Sequence, residues 1–190
     1  GPYVGQVAAV VTRQAPSIPM IQLFNDAPPF DTRGAAYLLS AYTSDIAAGD
    51  TVIAVVDPGV GTARRALAVW ADNVWYVGPD NGLLAIVVQR AREVETWEIR
   101  WRPKIMSDSF HGRDLFAPAA AHLAVQGRKA LLMLEAQPLE ASVGEDGPEE
   151  HQAGGYFDRF GNPIAGCRAS SVDRACHLDL FGRNVSHGLT

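Results

Sequence analysis

The feature that most constrains this chain is the alternation of short apolar runs with longer stretches of helical spacing. Thr51–Val56 is an unbroken apolar run, as a strand buried on both faces should be. Ala66–Trp70 and Val74–Val77 read as strands on either side of the turn Ala71-Asp72-Asn73, and Val94–Ile99 reads as another. Between and around them lie helical patterns. Val4, Val7, Ala8, Val10 and Val11 share one face of a first helix, ended by Pro16 and Pro19, and the β-branched run Ile18–Phe24 reads as a strand after it. Gly34–Ala48 carries Ala36, Leu38, Leu39, Tyr42 and Ile46 and closes on Gly49; Leu83–Arg92 and Arg113–Gln126 read as further helices, the last with Pro118 in its early part. The pattern predicts an α/β fold, a mostly parallel sheet with flanking helices. Functional groups are then expected in the loops beyond the strand C-termini.

The pattern changes after residue 136. The acidic, Gly/Pro-rich segment 137–153, with Gly144-Glu145-Asp146-Gly147-Pro148-Glu149-Glu150 at its centre, reads as a linker. Tyr156-Phe157, Ile164 and His177-Leu178-Asp179-Leu180 read as short strands, so 1–136 is expected to be an α/β domain and 154–190 the start of a smaller β-rich domain.

Composition narrows the function classes. Hydrophobic residues at 47% and charged residues at 19% exclude a disordered, collagen-like or coiled-coil chain. The net charge of −5 and the lack of a Lys/Arg block argue against a nucleic-acid partner. No apolar run reaches the roughly 18 residues that span a bilayer, and Gly1-Pro2-Tyr3 has no basic leader character. Two cysteines do not make a disulfide framework, so a reducing, cytoplasmic setting without membrane partners is expected. Cys167, Cys176, His177 and His187 lack the close Cys pair of a structural zinc site, and no metal is expected.

Four loops carry polar chemistry. Thr51–Val56 runs into Asp57-Pro58-Gly59-Val60-Gly61-Thr62-Ala63-Arg64-Arg65, which sets an acid at a strand end and a fixed cation a few residues on. Without a Gly-Lys-Ser/Thr ending it is not a P-loop; a tight turn with an Asp cap is the plainer alternative. Ser107-Asp108-Ser109-Phe110-His111-Gly112-Arg113-Asp114 places an imidazole, which titrates near neutrality, just before a helix that Asp108 or Ser109 would cap. Gly78-Pro79-Asp80-Asn81-Gly82-Leu83-Leu84 reads as a turn into a helix. Asp158-Arg159-Phe160-Gly161-Asn162 is a hairpin or a carboxylate-and-amide ligand pair.

Taken together and in order, these strings resemble the S-adenosylmethionine (SAM) hydrolases, or SAM hydroxide adenosyltransferases, relatives of the fluorinase and chlorinase. Tyr3-Val4-Gly5 and Phe116-Ala117-Pro118-Ala119-Ala120 add to the match, which covers residues 3 to about 165. The resemblance implies that Asp57, Arg64 and His111 hold an attacking water or hydroxide. It further implies that Phe30, Phe110 and Gly112 line the substrate pocket, Phe30 and Phe110 as aromatic walls with a place in the core as the alternative. Asp158 and Asn162 would contact the methionine amino group and the adenine edge. SAM would be the substrate, with no cofactor, in a homotrimer whose sites are shared between subunits. In the halide-using relatives the positions matching Asp57 and His111 are neither acidic nor histidine, and a carboxylate at Asp57 would repel a halide. Hydrolysis is therefore expected ahead of halogenation or of SAM binding without turnover. The family pattern also places a strand ending in Asp-Phe/Leu-Gly before Tyr3 and more of a β-barrel-like domain after Thr190. A chain incomplete at both ends, or one that supplies those parts differently, is the expectation.

Overall fold

The hairpin at the centre of the sheet decides its topology. In the computed structural model, which describes residues 2–140, 143, 154–157, 163–167, 178–180 and 183–185, β2 (Ala66–Ala71) and β3 (Val74–Pro79) are joined only by Asp72 and Asn73. Both turn residues have positive φ, 45° and 68°, the pairing whose twist suits a two-residue hairpin. The strands are thereby antiparallel, with Ala71 opposite Val74 and Ala66 opposite Pro79. On the far side of β3 lies β1 (Thr51–Ile53), in parallel register with Trp75 to Val77. β4 (Val94–Glu98) runs antiparallel to β2, and β5 (Gln137–Pro138) antiparallel to β4, giving the order β1-β3-β2-β4-β5.

The sheet is thus mixed, and the expectation of a mostly parallel sheet is corrected. β1, β3 and β4 do run the same way, but β2 is inserted between β3 and β4, so only β1 and β3 form a parallel pair. A two-residue link allows nothing else, since parallel neighbours need a crossover of a dozen or more residues. The expected strand at Ile18–Phe24 does not form either. Pro19 removes a ladder donor near the start of that run, and Ile21 is left 79% exposed.

Helices cover both faces. α1 (Pro2–Gln14) and α4 (Ala117–Gln126) pack on one side, α2 (Thr32–Tyr42) and α3 (Ala85–Arg90) on the other. Strand alternation sorts the core: Leu67 and Val69 face Ala35, Leu39, Leu84 and Val87, while Ala66 and Ala68 face Leu115, Phe116, Ala119 and Leu123. α2 begins at Asp31, whose side chain accepts from the Gly34 N–H at 2.8 Å. It ends at Tyr42 rather than running to residue 48; the Thr43 N–H and hydroxyl both donate to the Leu39 carbonyl, and the Ser44 hydroxyl donates to the Ala41 carbonyl.

The helix expected from Arg113 to Gln126 is α4 preceded by one wide turn, Gly112–Phe116. Pro118 has no N–H to give Asp114, and the Ala117 N–H reaches back five residues to the Gly112 carbonyl instead. Residues 137 and 138 of the expected linker join the sheet as β5, the Leu139 N–H bonds to Thr96, and Val143 is buried with the α2/α3 face. Farther on, β6 (Gly154–Phe157) pairs with β7 (Pro163–Ala165), and β8 (Leu178–Leu180) with β9 (Arg183–Val185). The first hairpin is tied to the α/β layer by Tyr156 donating to Asp26 at 2.7 Å and Arg90 donating to the Gly166 carbonyl at 3.1 Å.

Gly78 lets β3 pass close to the chain leaving β1: a Cβ there would lie 2.5 Å from the Ala54 carbonyl oxygen. The Ala54 N–H bonds to Val77 at the same level. Gly78→Ala must force these strands apart, and an urea melt is expected to show a loss of about 1–3 kcal/mol with an unchanged m-value.

Candidate active site

The chain leaves β1 through Ala54, Val55 and Val56 and turns at Asp57. Two backbone bonds, Val60 N–H to Asp57 and Thr62 N–H to Gly59, curl the loop, and the Thr62 hydroxyl closes it onto the Gly59 carbonyl at 2.7 Å. The curl brings Arg64 back over Asp57. The Arg64 Nε donates to Asp57 Oδ1 and Oδ2 at 2.8 and 2.9 Å, and Nη2 makes a close ion pair with Oδ2. Both side chains are nearly inaccessible, 8% and 5% exposed. Under the guanidinium lies the ring of Phe116, 5.1 Å from Cζ to centroid, supplied by the wide turn ahead of α4.

His111 enters from the other loop. Its Nδ1 lies 3.0 Å from Arg64 Nη2. A guanidinium can only donate, so Nδ1 accepts and the ring is neutral with its proton on Nε2. Burial lowers the His111 pKa and the Arg64 charge lowers it further, with Arg102 acting the same way; Asp57 and Asp108 partly offset them. The two loops can touch because of Gly61, at φ +81°, where a Cβ would lie 2.7 Å from the Asp108 carbonyl oxygen. Neither Asp108 nor Ser109 caps the following helix by a side-chain bond. Asp114 instead accepts from the Ser107 N–H at 2.9 Å and from Arg113, which holds its carboxyl below the usual range.

The resulting constellation is a buried carboxylate, a guanidinium it neutralises, and a neutral imidazole whose remaining N–H is free of that pair. It can present a directed N–H donor to a small oxygen nucleophile beside a fixed positive charge. An open cleft of about 590 Å³ along Val88, Trp97, Pro138 and Leu139 shares no residue with it.

Residues 1–132 match the SAM hydroxide adenosyltransferase N-terminal domain. The chain belongs to this family. It is 43% identical to the (R)-S-adenosyl-L-methionine hydrolase of Thermus thermophilus over 97% of this chain and 76% of that protein. It is also 43% identical to the enzyme of that name from Salinispora arenicola over 65% of this chain and 48% of that protein. Among solved structures, an uncharacterized conserved protein from Thermotoga maritima superposes with a TM-score of 0.76 at 32% identity, covering 87% of this chain and 67% of that one.

Of the residues that the family resemblance singles out, the structure joins Asp57, Arg64 and His111 in one cluster. Phe110 stands beside it, half-buried, edge-on to Tyr3 at 5.1 Å and under the Arg113 guanidinium at 4.9 Å. Gly112 is buried, and a Cβ on it would rest against Phe110 and Val55. Phe30 is 83% exposed with φ +62°, so a place in the core is ruled out for it. Asp158 and Asn162 lie outside the described residues. Sequence reasoning gave no role to Phe116 or to Arg102, which donates to the Ile99 and Trp101 carbonyls at 2.7 and 2.8 Å. Phe116 was visible only as part of a motif, and nothing in the spacing marks Arg102.

Removing the carboxylate leaves the Arg64 charge buried without its partner. Asp57→Asn is expected to cost about 3 kcal/mol in chemical denaturation and to move the His111 imidazole titration, followed by NMR, further down.

Proposed function

We propose that this protein hydrolyses S-adenosyl-L-methionine to adenosine and L-methionine. The observation that carries the reading is the Arg64 guanidinium shared between Asp57 and His111 Nδ1, which fixes the imidazole as a neutral Nε2–H donor. The names of the relatives point to the same substrate, and their (R) descriptor makes the (R)-sulfonium epimer the one proposed here.

The chemistry suits such a site. C5′ of SAM carries a sulfonium, so the leaving group departs as a neutral thioether and needs no Lewis acid. Water is the weak partner. Its oxygen forms the bond to C5′ while the C5′–S bond breaks with its electron pair passing to sulfur, and the proton of the attacking water passes to solvent water. His111 Nε2–H and the Arg64 charge stabilise hydroxide character on that oxygen, and in-line placement supplies the rest. Asp57 keeps Arg64 in place and neutralises it, so the pair offers no net positive charge to a competing halide.

The reading extends to SAM as substrate with no cofactor or metal, and to a cytoplasmic homotrimer whose sites are completed by Asp158 and Asn162 from a neighbouring copy. Nucleic acid and membranes have no part in it. In the same reading the segment after the linker begins a β-barrel-like domain. Within the structure, no helix among the described residues is long and apolar enough to cross a membrane.

Incubation with (R)-SAM in ¹⁸O-water is expected to release adenosine labelled at O5′; no adenosine, or adenosine without the label, overturns the proposal. Protonated His111 would turn a second donor toward Arg64, so kcat/KM should fall on the acid side with a midpoint below the ordinary imidazole range and stay level through neutrality. Asp57→Ala should lower kcat/KM by about 10²-fold or more.

A further inference from the structure

The string Gly78-Pro79-Asp80-Asn81-Gly82 touches no part of the reacting constellation, yet its two polar side chains reach both ends of the loop that carries it. Regular sheet pairing of β1 stops at Ile53, and the Ala54 N–H makes one further bond to Val77. Beyond that, the Asn81 Nδ2 donates to the Val56 carbonyl at 2.8 Å, one residue before Asp57, while its Oδ1 accepts from the Leu83 N–H at 3.2 Å. At the other end of the loop the Arg65 Nε donates to Asp80 Oδ2 at 2.6 Å, and the Asp80 N–H donates to the Arg65 carbonyl at 3.0 Å. That same carbonyl accepts from Arg64 Nη1 at 3.3 Å.

We propose that Asp80 and Asn81 are positioning residues for the Asp57–Arg64 pair, a bracket on the exit of β3 that fixes the two ends of the 57–65 loop. The inference rests on the reading of Asp57, Arg64 and His111 given above. Its physical basis is that the loop's own bonds only curl it. The distance and angle at which Asp57 meets Arg64 depend on where Val56 and Arg65 are anchored: Val56 by the Asn81 side chain, and Arg65 by the Asp80 side chain and backbone N–H, two consecutive residues directly after β3. A displacement of about 1 Å at such a site is enough to cost on the order of 10²-fold in rate.

The deciding variant is Asn81→Ser. A serine hydroxyl can keep the local bond to the Leu83 N–H but is too short to reach Val56, so the turn survives and the tie is cut. Two readouts are taken on the full chain: steady-state hydrolysis of (R)-SAM per folded molecule, and the imidazole titration of His111 by NMR, which requires no turnover. His111 is faced by Arg64 and Arg102, which disfavour its protonation, and by Asp57, Asp108 and Asp114, which favour it. Displacing Asp57 should therefore move the His111 midpoint further down, while kcat falls by about tenfold or more and KM changes by less than about threefold. A kcat per folded molecule within about twofold of the parent, or an unmoved His111 midpoint, overturns the bracket and leaves the motif a plain turn. Should Asn81→Ser not fold, Asp80→Asn, which removes the carboxylate charge facing Arg65 but keeps the side-chain shape, is judged by the same two readouts. If the parent chain itself releases no adenosine, the proposed reaction fails, and the titration alone decides the bracket.

Discussion

A guanidinium almost wholly withdrawn from water is the constraint around which the rest of this molecule is arranged. Desolvating such a charge costs several kcal/mol, so everything Arg64 meets must compensate it. Asp57 takes Nε and Nη2, the Arg65 carbonyl takes Nη1, His111 accepts from Nη2, and the face of Phe116 covers the plane. These partners come from the exit of β1, the entry to β2, the 107–111 loop and the wide turn before α4. The pair can form only when the sheet, the loops and α4 are in register, so the fold and the site are specified together.

That dependence explains several local irregularities. The wide turn at Gly112–Phe116 is imposed by Pro118, but its consequence is that Phe116 arrives beneath Arg64, and π-type bulges are recurrent at functional sites for this kind of reason. The small residues Ala66, Ala68, Ala119 and Ala120 let α4 lie close to the sheet, which brings the preceding turn and His111 within reach of the β2 entry. Gly61 allows the two loops to meet.

Much of this was legible in the residues. An acid at the end of an apolar run with a cation a few residues on, and an imidazole ahead of a helix, marked two loops, and the family resemblance picked out Asp57, Arg64 and His111 within them; the strands at 51, 66, 74 and 94 were visible as apolar runs. What was not legible depended on pairing. Alternating strands and helices suggest parallel neighbours, and the Asp72-Asn73 link that inserts β2 between β3 and β4 is a two-residue signal easily outweighed by that rhythm. The run Ile18–Phe24 has the composition of a strand but pairs with no strand among the described residues, since propensity describes a fit to a half-buried surface and not a backbone preference. Asn81 looked like a turn residue because its local bond, to Leu83, is the one that spacing can foresee; the bond to Val56 spans 25 residues.

The protonation state of His111 links the site's geometry to its selectivity. If Nδ1 carried a proton it would face the Arg64 N–H donor to donor, and a third positive group would join Arg64 and Arg102, answered only in part by Asp57 and Asp108. Such a site would attract an anion and would bind halide or carboxylate as readily as water. With the ring neutral, the Asp57 charge cancels that of Arg64, and what faces outward is a single N–H beside a balanced pair. A neutral donor of that kind favours a neutral nucleophile that gains charge as it reacts, which is the behaviour of water attacking a sulfonium carbon. The same cancellation removes the long-range repulsion that a bare guanidinium would exert on a cationic substrate, so one ion pair serves both approach and reaction.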